Sequence, residues 1–319
     1  MKILITGGAG YIGGALTDIL GKTKHSIKVY DSLLYEESYR KDVDFVFGDI
    51  RDTDKLSKFI KWADVVVWLA ALVGDGACAL NPDVAFDVNE RCVKWLSKYS
   101  NKRIIFMSTC SVYGAQDGEL DELSPTNPLS VYASSKLRAE QHLKNKNALI
   151  FRLGTLFGVG DQFSRIRLDL VVNTLTVRAY KDGILRVFGG KQYRPLLHVK
   201  DAARAIFENL DNRHKGIFNL NSENISILEL SQKIKKHFPN VRILTEKMKF
   251  EDARNYRVQN IRAKKILNFQ PKYTIDQGIM EVKKLLEENR IVDMNNSRYG
   301  NHTFLKKFNT HLIGATIHE

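Results

Sequence analysis

The feature that most constrains this chain lies at its start. Residues 2–6 (Lys-Ile-Leu-Ile-Thr) read as a short buried strand, and Gly7, Gly10 and Gly13 follow at three-residue spacing before helical apolar spacing begins at Ala15. A strand that passes into a helix through glycines brings backbone close to a phosphate. It also aims the free N–H groups and partial positive charge of the helix start at that phosphate. Residues 26–30 predict a second strand, and Asp31 ends it 18 residues after Gly13. A carboxylate there accepts hydrogen bonds from the ribose hydroxyls and repels a 2′-phosphate. Ser32 and Leu33 follow, with no adjacent Arg to welcome that phosphate. The pattern predicts a dinucleotide site for NAD rather than NADP, with the turn residues Gly7, Gly10, Tyr11, Ile12 and Gly13 around it. After a third strand at 43–47, Asp49 and Ile50 are placed to meet the adenine; equally, Asp49 could cap the helix that starts near Thr53.

Further apolar strands at 65–69, 103–107 and 149–152 alternate with helical patterns at 53–61, 82–100 and 130–144. This is an α/β chain: a doubly wound parallel sheet of Rossmann type, covered on both faces. The second half differs. It predicts a helix at 164–180 with Ile166, Leu170, Leu175 and Val177 inward, strands at 184–188 and 216–219, and helices at 199–210, 226–237, 259–267 and 275–289. Residues 1–163 with about 196–222 are expected to form the dinucleotide domain, and about 164–195 with 223–290 a smaller mixed α/β substrate lobe. Residues 291–319 are polar, rich in Asn and His, and without clear period, which suits a loose tail or an interface segment.

With 319 residues, 44% hydrophobic and 27% charged, the chain can bury a full core, so collagen-like, coiled-coil and wholly disordered readings fall away. The apolar run at 65–73 is too short to cross a bilayer, and residues 1–5 run into the glycine turn without a cleavable-signal pattern. Cys78, Cys92 and Cys110 are odd in number and lack metal-site spacing, which predicts reduced cytosol, a cytoplasmic location and no metal. The net charge of +13 favours anionic partners. Its basic residues are scattered in pairs such as Lys235-Lys236 and Lys264-Lys265, without interleaved aromatics, so no nucleic-acid partner is expected.

The chemistry is carried by Tyr132-Ala133-Ser134-Ser135-Lys136. Residues i and i+4 share a helix face, and an ammonium beside a phenol is expected to lower its pKa. A phenolate can take a proton from an alcohol while hydride leaves the same carbon. Thr109, 23 residues earlier at the end of a strand, can hydrogen-bond the same substrate oxygen and complete a catalytic triad.

The chain resembles the extended short-chain dehydrogenase/reductases, in particular the NAD-dependent nucleotide-sugar epimerases and dehydratases, over about residues 1–290. The likeness rests on Thr6-Gly7-Gly8-Ala9-Gly10-Tyr11-Ile12-Gly13, Leu69-Ala70-Ala71, Ser108-Thr109-Cys110-Ser111-Val112-Tyr113-Gly114, Tyr132-x-x-x-Lys136 and Arg194-Pro195-Leu196-Leu197-His198-Val199-x-Asp201. The resemblance implies oxidation of a sugar hydroxyl, usually at C4, on a nucleotide-diphosphate sugar linked to GDP, UDP, dTDP or CDP. It places Thr109, Tyr132 and Lys136 on the triad, and Leu69, Ala70, Ala71 and Asn89 by the cofactor. Arg194 and Arg254 fall on diphosphate-contacting positions, and guanidinium forks suit phosphate oxygens. His198 is expected to be a structural hydrogen-bonder. Helices 82–100 and 130–144 are the expected faces of a homodimer.

Several departures narrow the reaction. The dehydratases of this family carry Asp and Glu after the triad Thr; here Cys110 and Ser111 stand there, so elimination lacks its acid and base. The GDP-fucose-synthase type has Cys two places after the triad residue, where this chain has Ser111, with Cys110 one place earlier. The usual phosphate-contacting Asn after the sixth strand is replaced near Thr155. Leu69–Gly74 with Cys78 and Asn81-Pro82, and the run Arg165–Asn173, resemble epimerase-like proteins of surface-polysaccharide clusters, including GDP-manno-heptose 4-dehydrogenases that keep NAD(H) bound. On that likeness Arg165, Arg167 and Asn173 are expected at the substrate, and Cys78 in the sugar pocket or simply buried. The alternatives are a 4-keto sugar reductase, a small-molecule alcohol dehydrogenase, and a non-catalytic or RNA-binding protein on the same fold.

Overall fold

Alternate residues of the first strand, Lys2–Thr6, face opposite layers. Ile3 and Ile5 pack with Leu16, Leu20, Val29, Val67 and Ile206 on one side. Leu4 packs with Tyr30, Leu56, Ile60, Trp68 and Leu96 on the other. Two apolar layers around one strand require a sheet covered on both faces. The structure, a computed structural model describing residues 1–163, 165–247 and 255–308, has that architecture. Its central sheet has seven parallel strands in the order Gly216–Leu220, Ala148–Leu153, Arg103–Thr109, Val65–Trp68, Lys2–Thr6, Ser26–Asp31 and Asp44–Phe47. Strand order reverses between Lys2–Thr6 and Val65–Trp68. The crevice beyond the strand ends at such a reversal is where doubly wound sheets bind ligands.

The second half adds a three-stranded sheet of Thr155–Phe157, Tyr193–His198 and Glu223–Ser226, and a parallel pair of Ile184–Phe188 with Arg242–Glu246. A separate apolar cluster including Phe157, Val172, Leu175, Leu196, Leu230 and Ile279 holds these elements together.

Three expectations need correction. The segment 82–100 is not one helix: Pro82–Phe86 and Cys92–Tyr99 are joined by a π-helical turn, Asp87–Arg91. The wider turn carries Asn89, whose buried amide bonds a neighbouring loop, and such turns often mark functional regions. The helix expected at 164–180 starts only at Val171 and runs to Asp182. Before it, Leu168 N–H is drawn out to Tyr299 O (2.9 Å) and the Arg167 fork closes on Asp169, interactions an α-helical turn there would break. Finally, within the expected tail 291–319, residues 297–308 are not loose, and 309–319 lie outside the described residues. Asn301–Phe308 is a helix packed against Asp75–Leu80, with Phe304 and Leu305 buried in the central core. No helix among the described residues is long and apolar enough to cross a membrane.

Candidate active site

The glycine turn forms one wall of a slot at the strand-order reversal. Gly7 has φ +74°, and a Cβ there would come within 2.5 Å of Ala70 N, so only glycine lets the turn meet the Leu69–Ala71 strand end. The helix Tyr11–Leu20 begins at Gly10 with no side-chain cap and no acidic residue in its first turn. Its first N–H groups therefore face the slot unneutralised. Gly7, Gly10, Tyr11, Ile12, Gly13, Asp31, Asp49, Ile50, Leu69, Ala70 and Ala71 all line this slot. Asp31 Oδ2 accepts from Ala9 N–H (3.0 Å) and Oδ1 from Leu33 N–H (2.8 Å), which fixes the carboxylate at the strand end. Burial raises its pKa while those N–H groups oppose the rise. Asp49 does not cap the following helix; Asp52 does, accepting from Lys55 N–H at 3.0 Å. Asp49 instead pairs with Arg51 (2.7 Å) and stays on the slot wall.

Next to the slot lies a cleft of about 690 Å³, within the range of small-molecule sites, lined by Thr109, Ser111, Tyr132, Lys136, Thr155 and Arg194. Ile12, Leu69, Ala71, Val73, Leu156, Arg167 and Asn301 line both spaces, so the two are continuous. Thr109 closes the strand Arg103–Thr109, and Tyr132 and Lys136 stand one turn apart on the helix Val131–Leu143. Burial pushes the Tyr132 phenol up, with Cys78 and Asp75 adding to the rise; a hydrogen bond with Thr109 opposes it. This reverses the expected lowering by Lys136, and the reason is also burial. Lys136, 4.3 Å from the Phe106 ring centre, is itself pulled down from 10.5 to about 7, so it offers no fixed positive charge at neutral pH.

A buried polar network joins the two elements that carry the triad. Ser108 Oγ donates to Glu140 Oε1 (2.5 Å), and Arg152 clamps the same carboxylate from Nε (3.0 Å) and NH2 (2.7 Å). Arg152 also donates to Tyr113 Oη (2.9 Å), which donates to Asn219 Oδ1 (2.8 Å). Ser108 precedes Thr109, and Glu140 is one turn beyond Lys136. The network thus holds the strand end against the helix.

Other residues are placed differently from expectation. Asn89 lines neither space: its amide exchanges two 2.9 Å bonds with Leu72 and donates to Ser135 Oγ (3.1 Å), so it positions the loop after Val65–Trp68. Asn173 is buried and bonds Gly158 N–H, Gly158 O and Arg167 O, which takes it out of the cleft lining. Arg165 lines the slot rather than the cleft. Cys78 is buried with its thiol on Leu72 O (3.4 Å), and Cys110 is buried with its thiol on Arg152 O (3.2 Å). Burial pushes both thiols up, so neither is placed to act as a nucleophile. Ser111 does face the cleft, within 3.2 Å of Tyr256 Oη. His198 is buried, stacked on Tyr273, with Nε2 2.9 Å from Glu281 and Nδ1 accepting from Lys200 N–H. Arg254 lies outside the described residues.

A sequence model of the NAD dependent epimerase/dehydratase family matches residues 3–220. The chain belongs to this family. It is 26% identical to a UDP-glucuronate 4-epimerase of Thermodesulfobacterium geofontis, over 90% of this chain and 96% of that protein. It is 27% identical to a CDP-paratose 2-epimerase of Salmonella typhi, over 88% of this chain and 98% of that one. Among solved structures, a UDP-glucose 4-epimerase of Thermotoga maritima with UDP-glucose superposes with a TM-score of 0.80, at 21% identity, covering 90% of this chain and 99% of that one. That last likeness concerns the fold.

NAD is the cofactor of this epimerase/dehydratase family, and the slot suits it on observations made within this structure. The uncapped helix start presents N–H groups for a diphosphate, and Gly7 and Gly10 leave the backbone bare there. The Asp31 carboxylate, fixed by two backbone N–H groups, would suit ribose hydroxyls and disfavour a 2′-phosphate.

Sequence reading missed Asn301, Glu140, Arg152 and Tyr35, the last of which lines the slot. For Arg152 a signal existed: an arginine inside the otherwise apolar strand Ala148–Leu153 demands a buried carboxylate partner. Asn301 had none, since only the folded chain brings it to Val73 O (2.7 Å).

Proposed function

We propose that the protein oxidises the C4 hydroxyl of a nucleotide-diphosphate sugar, returning the hydride as a 4-epimerase or releasing the keto sugar as a 4-dehydrogenase. The observation that carries this reading is the continuity of the two spaces: Thr109, Tyr132 and Lys136 face a sugar-sized cleft that opens into the dinucleotide slot. When bound in the slot, NAD⁺ would supply a hydride acceptor and a positive charge. Thr109 and Tyr132, both facing the cleft, orient the substrate hydroxyl, and the Tyr132 phenolate takes its proton as the base. The phenol's own proton goes to the Lys136 amine, which a pKa near 7 leaves able to accept it, and the resulting ammonium stabilises the phenolate. Thr155 and Arg194 face the cleft where the substrate's diphosphate would lie. Cys110 is buried and Ser111 is no carboxylate, which weighs against a dehydratase. The 4-epimerase relative supports the C4 assignment.

The test is Tyr132→Phe, assayed on a sugar nucleotide the wild type turns over. Loss of a general base predicts a fall of roughly 10²–10⁴-fold in turnover with NAD still bound. Unchanged turnover would remove Tyr132 from the chemistry.

A further inference from the structure

Arg165 and Arg167 line the dinucleotide slot together with the glycine turn. Arg165 is 6% exposed. Its NH1 donates to Asn301 Oδ1 (2.6 Å) and its NH2 to Arg298 O (3.0 Å), while the guanidinium lies 3.6 Å from the Tyr35 ring centre. Its Nε is buried without a partner, and among the described residues no carboxylate lies within ion-pair distance of it. Arg167, 8% exposed, is clamped on Asp169 through Nε (2.6 Å) and NH2 (2.9 Å). Asp169 is also committed to Asn301 N–H (2.9 Å).

Two buried guanidiniums therefore have one carboxylate in ion-pair contact, Asp169 on Arg167, while Glu36 acts on Arg165 only from beyond ion-pair distance. Burying a cation without a counter-charge is unfavourable, and the neighbouring cation makes it worse. Burial, then Arg167, pulls Arg165 down to about 10, in keeping with that imbalance. What the cluster lacks is an anion with acceptor oxygens spaced for a planar fork, which describes a diphosphate. Arg165 lines the slot but not the cleft, and the cleft has guanidiniums of its own in Arg178, Arg186 and Arg194.

We propose that Arg165 and Arg167 grip the diphosphate of the bound dinucleotide in addition to the glycine turn, with Asn301 holding Arg165 in place. This rests on the NAD reading above and departs from the substrate role that the sequence suggested for both arginines. It also accounts for the helix Asn301–Phe308, because Asn301 ties Val73 O, Arg165 and Asp169 together at the rim of the slot.

The test compares Arg165→Met and Arg165→Lys with wild type in the full chain, by calorimetry and by the NAD released on acid denaturation. The probes are NAD⁺, adenosine, which has no phosphate, and UDP added to NAD-loaded protein. The expected result is an affinity for NAD⁺ lowered by about tenfold or more in Arg165→Met and less in Arg165→Lys. Adenosine and UDP should change by less than about twofold, since neither contacts the proposed fork. Undiminished NAD⁺ affinity in a folded Arg165→Met would overturn the proposal. So would loss of UDP with NAD⁺ intact, which returns the arginine to the substrate, or equal loss of NAD⁺ and adenosine, which makes its role one of shaping the slot. Wild type that takes UDP but no NAD⁺ would instead sink the underlying cofactor reading. Should Arg165→Met fail to fold, Asn301→Ala removes one bond to the guanidinium and is read by the same comparison.

Discussion

Replacing Glu140 by Met would strand the guanidinium of Arg152, which is 4% exposed and held by three bonds to that carboxylate. Removing one partner of a buried ion pair costs about 3–5 kcal/mol, because the other charge stays buried. Arg152→Met should cost a similar amount by stranding the Glu140 carboxylate. In the double variant both charges are gone. The remaining loss is that of Ser108 Oγ, whose acceptor is missing, at about 1–3 kcal/mol for an unsatisfied buried group. The double variant should thus be more stable than the sum of the singles by several kcal/mol, and the single Glu140→Met should lower Tm by roughly 10 °C. Urea unfolding followed by circular dichroism on the four proteins closes the cycle. Additive losses in the double variant, or a Glu140→Met cost below about 1 kcal/mol, would refute the claim that this pair holds the triad's strand against its helix.

Two further outcomes follow from the slot and cleft. Asp31→Ala should weaken NAD binding by about tenfold or more through lost bonds to a charged acceptor, and weaken NADP less, because the carboxylate repels a 2′-phosphate; equal losses for both would reject the ribose assignment. Lys136 titrates near 7 when folded and at 10.5 in the unfolded chain, so between those values the unfolded state holds the extra proton. Stability therefore rises with pH across that window, by up to ~1.4 kcal/mol per pH unit, and Lys136→Met should flatten the rise; equal slopes from pH 7.5 to 9.5 would contradict it.

The parts legible in the sequence were those set by local pattern. The glycine spacing, the acid after the second strand and the apolar strand runs each follow from neighbours in the chain, and the structure brings Gly7, Asp31 and Leu69 to one slot. The Tyr132–Lys136 spacing needed only a helix. What escaped depends on distant partners. Arg165 and Arg167 read as one face of a helix, whereas Asp169 and Tyr299 hold that stretch extended. Asn173 read as a ligand contact, but a turn at Gly158 takes its amide. Residues 297–307 have weak periodicity because, among their described side chains, only Asn301, Phe304 and Leu305 are buried. The Tyr132 pKa was misjudged because i,i+4 spacing places an ammonium nearby without revealing that burial lowers the Lys136 pKa to about 7 and raises that of the phenol.

The most direct test of the C4 assignment is an absorbance spectrum of the purified protein, before and after adding GDP-, UDP-, dTDP- and CDP-sugars, with NMR of each product. One sugar nucleotide should return either its C4 epimer or a 4-keto sugar, the latter with a rise in the NADH band. A product altered at another carbon, with C4 untouched, would contradict the assignment.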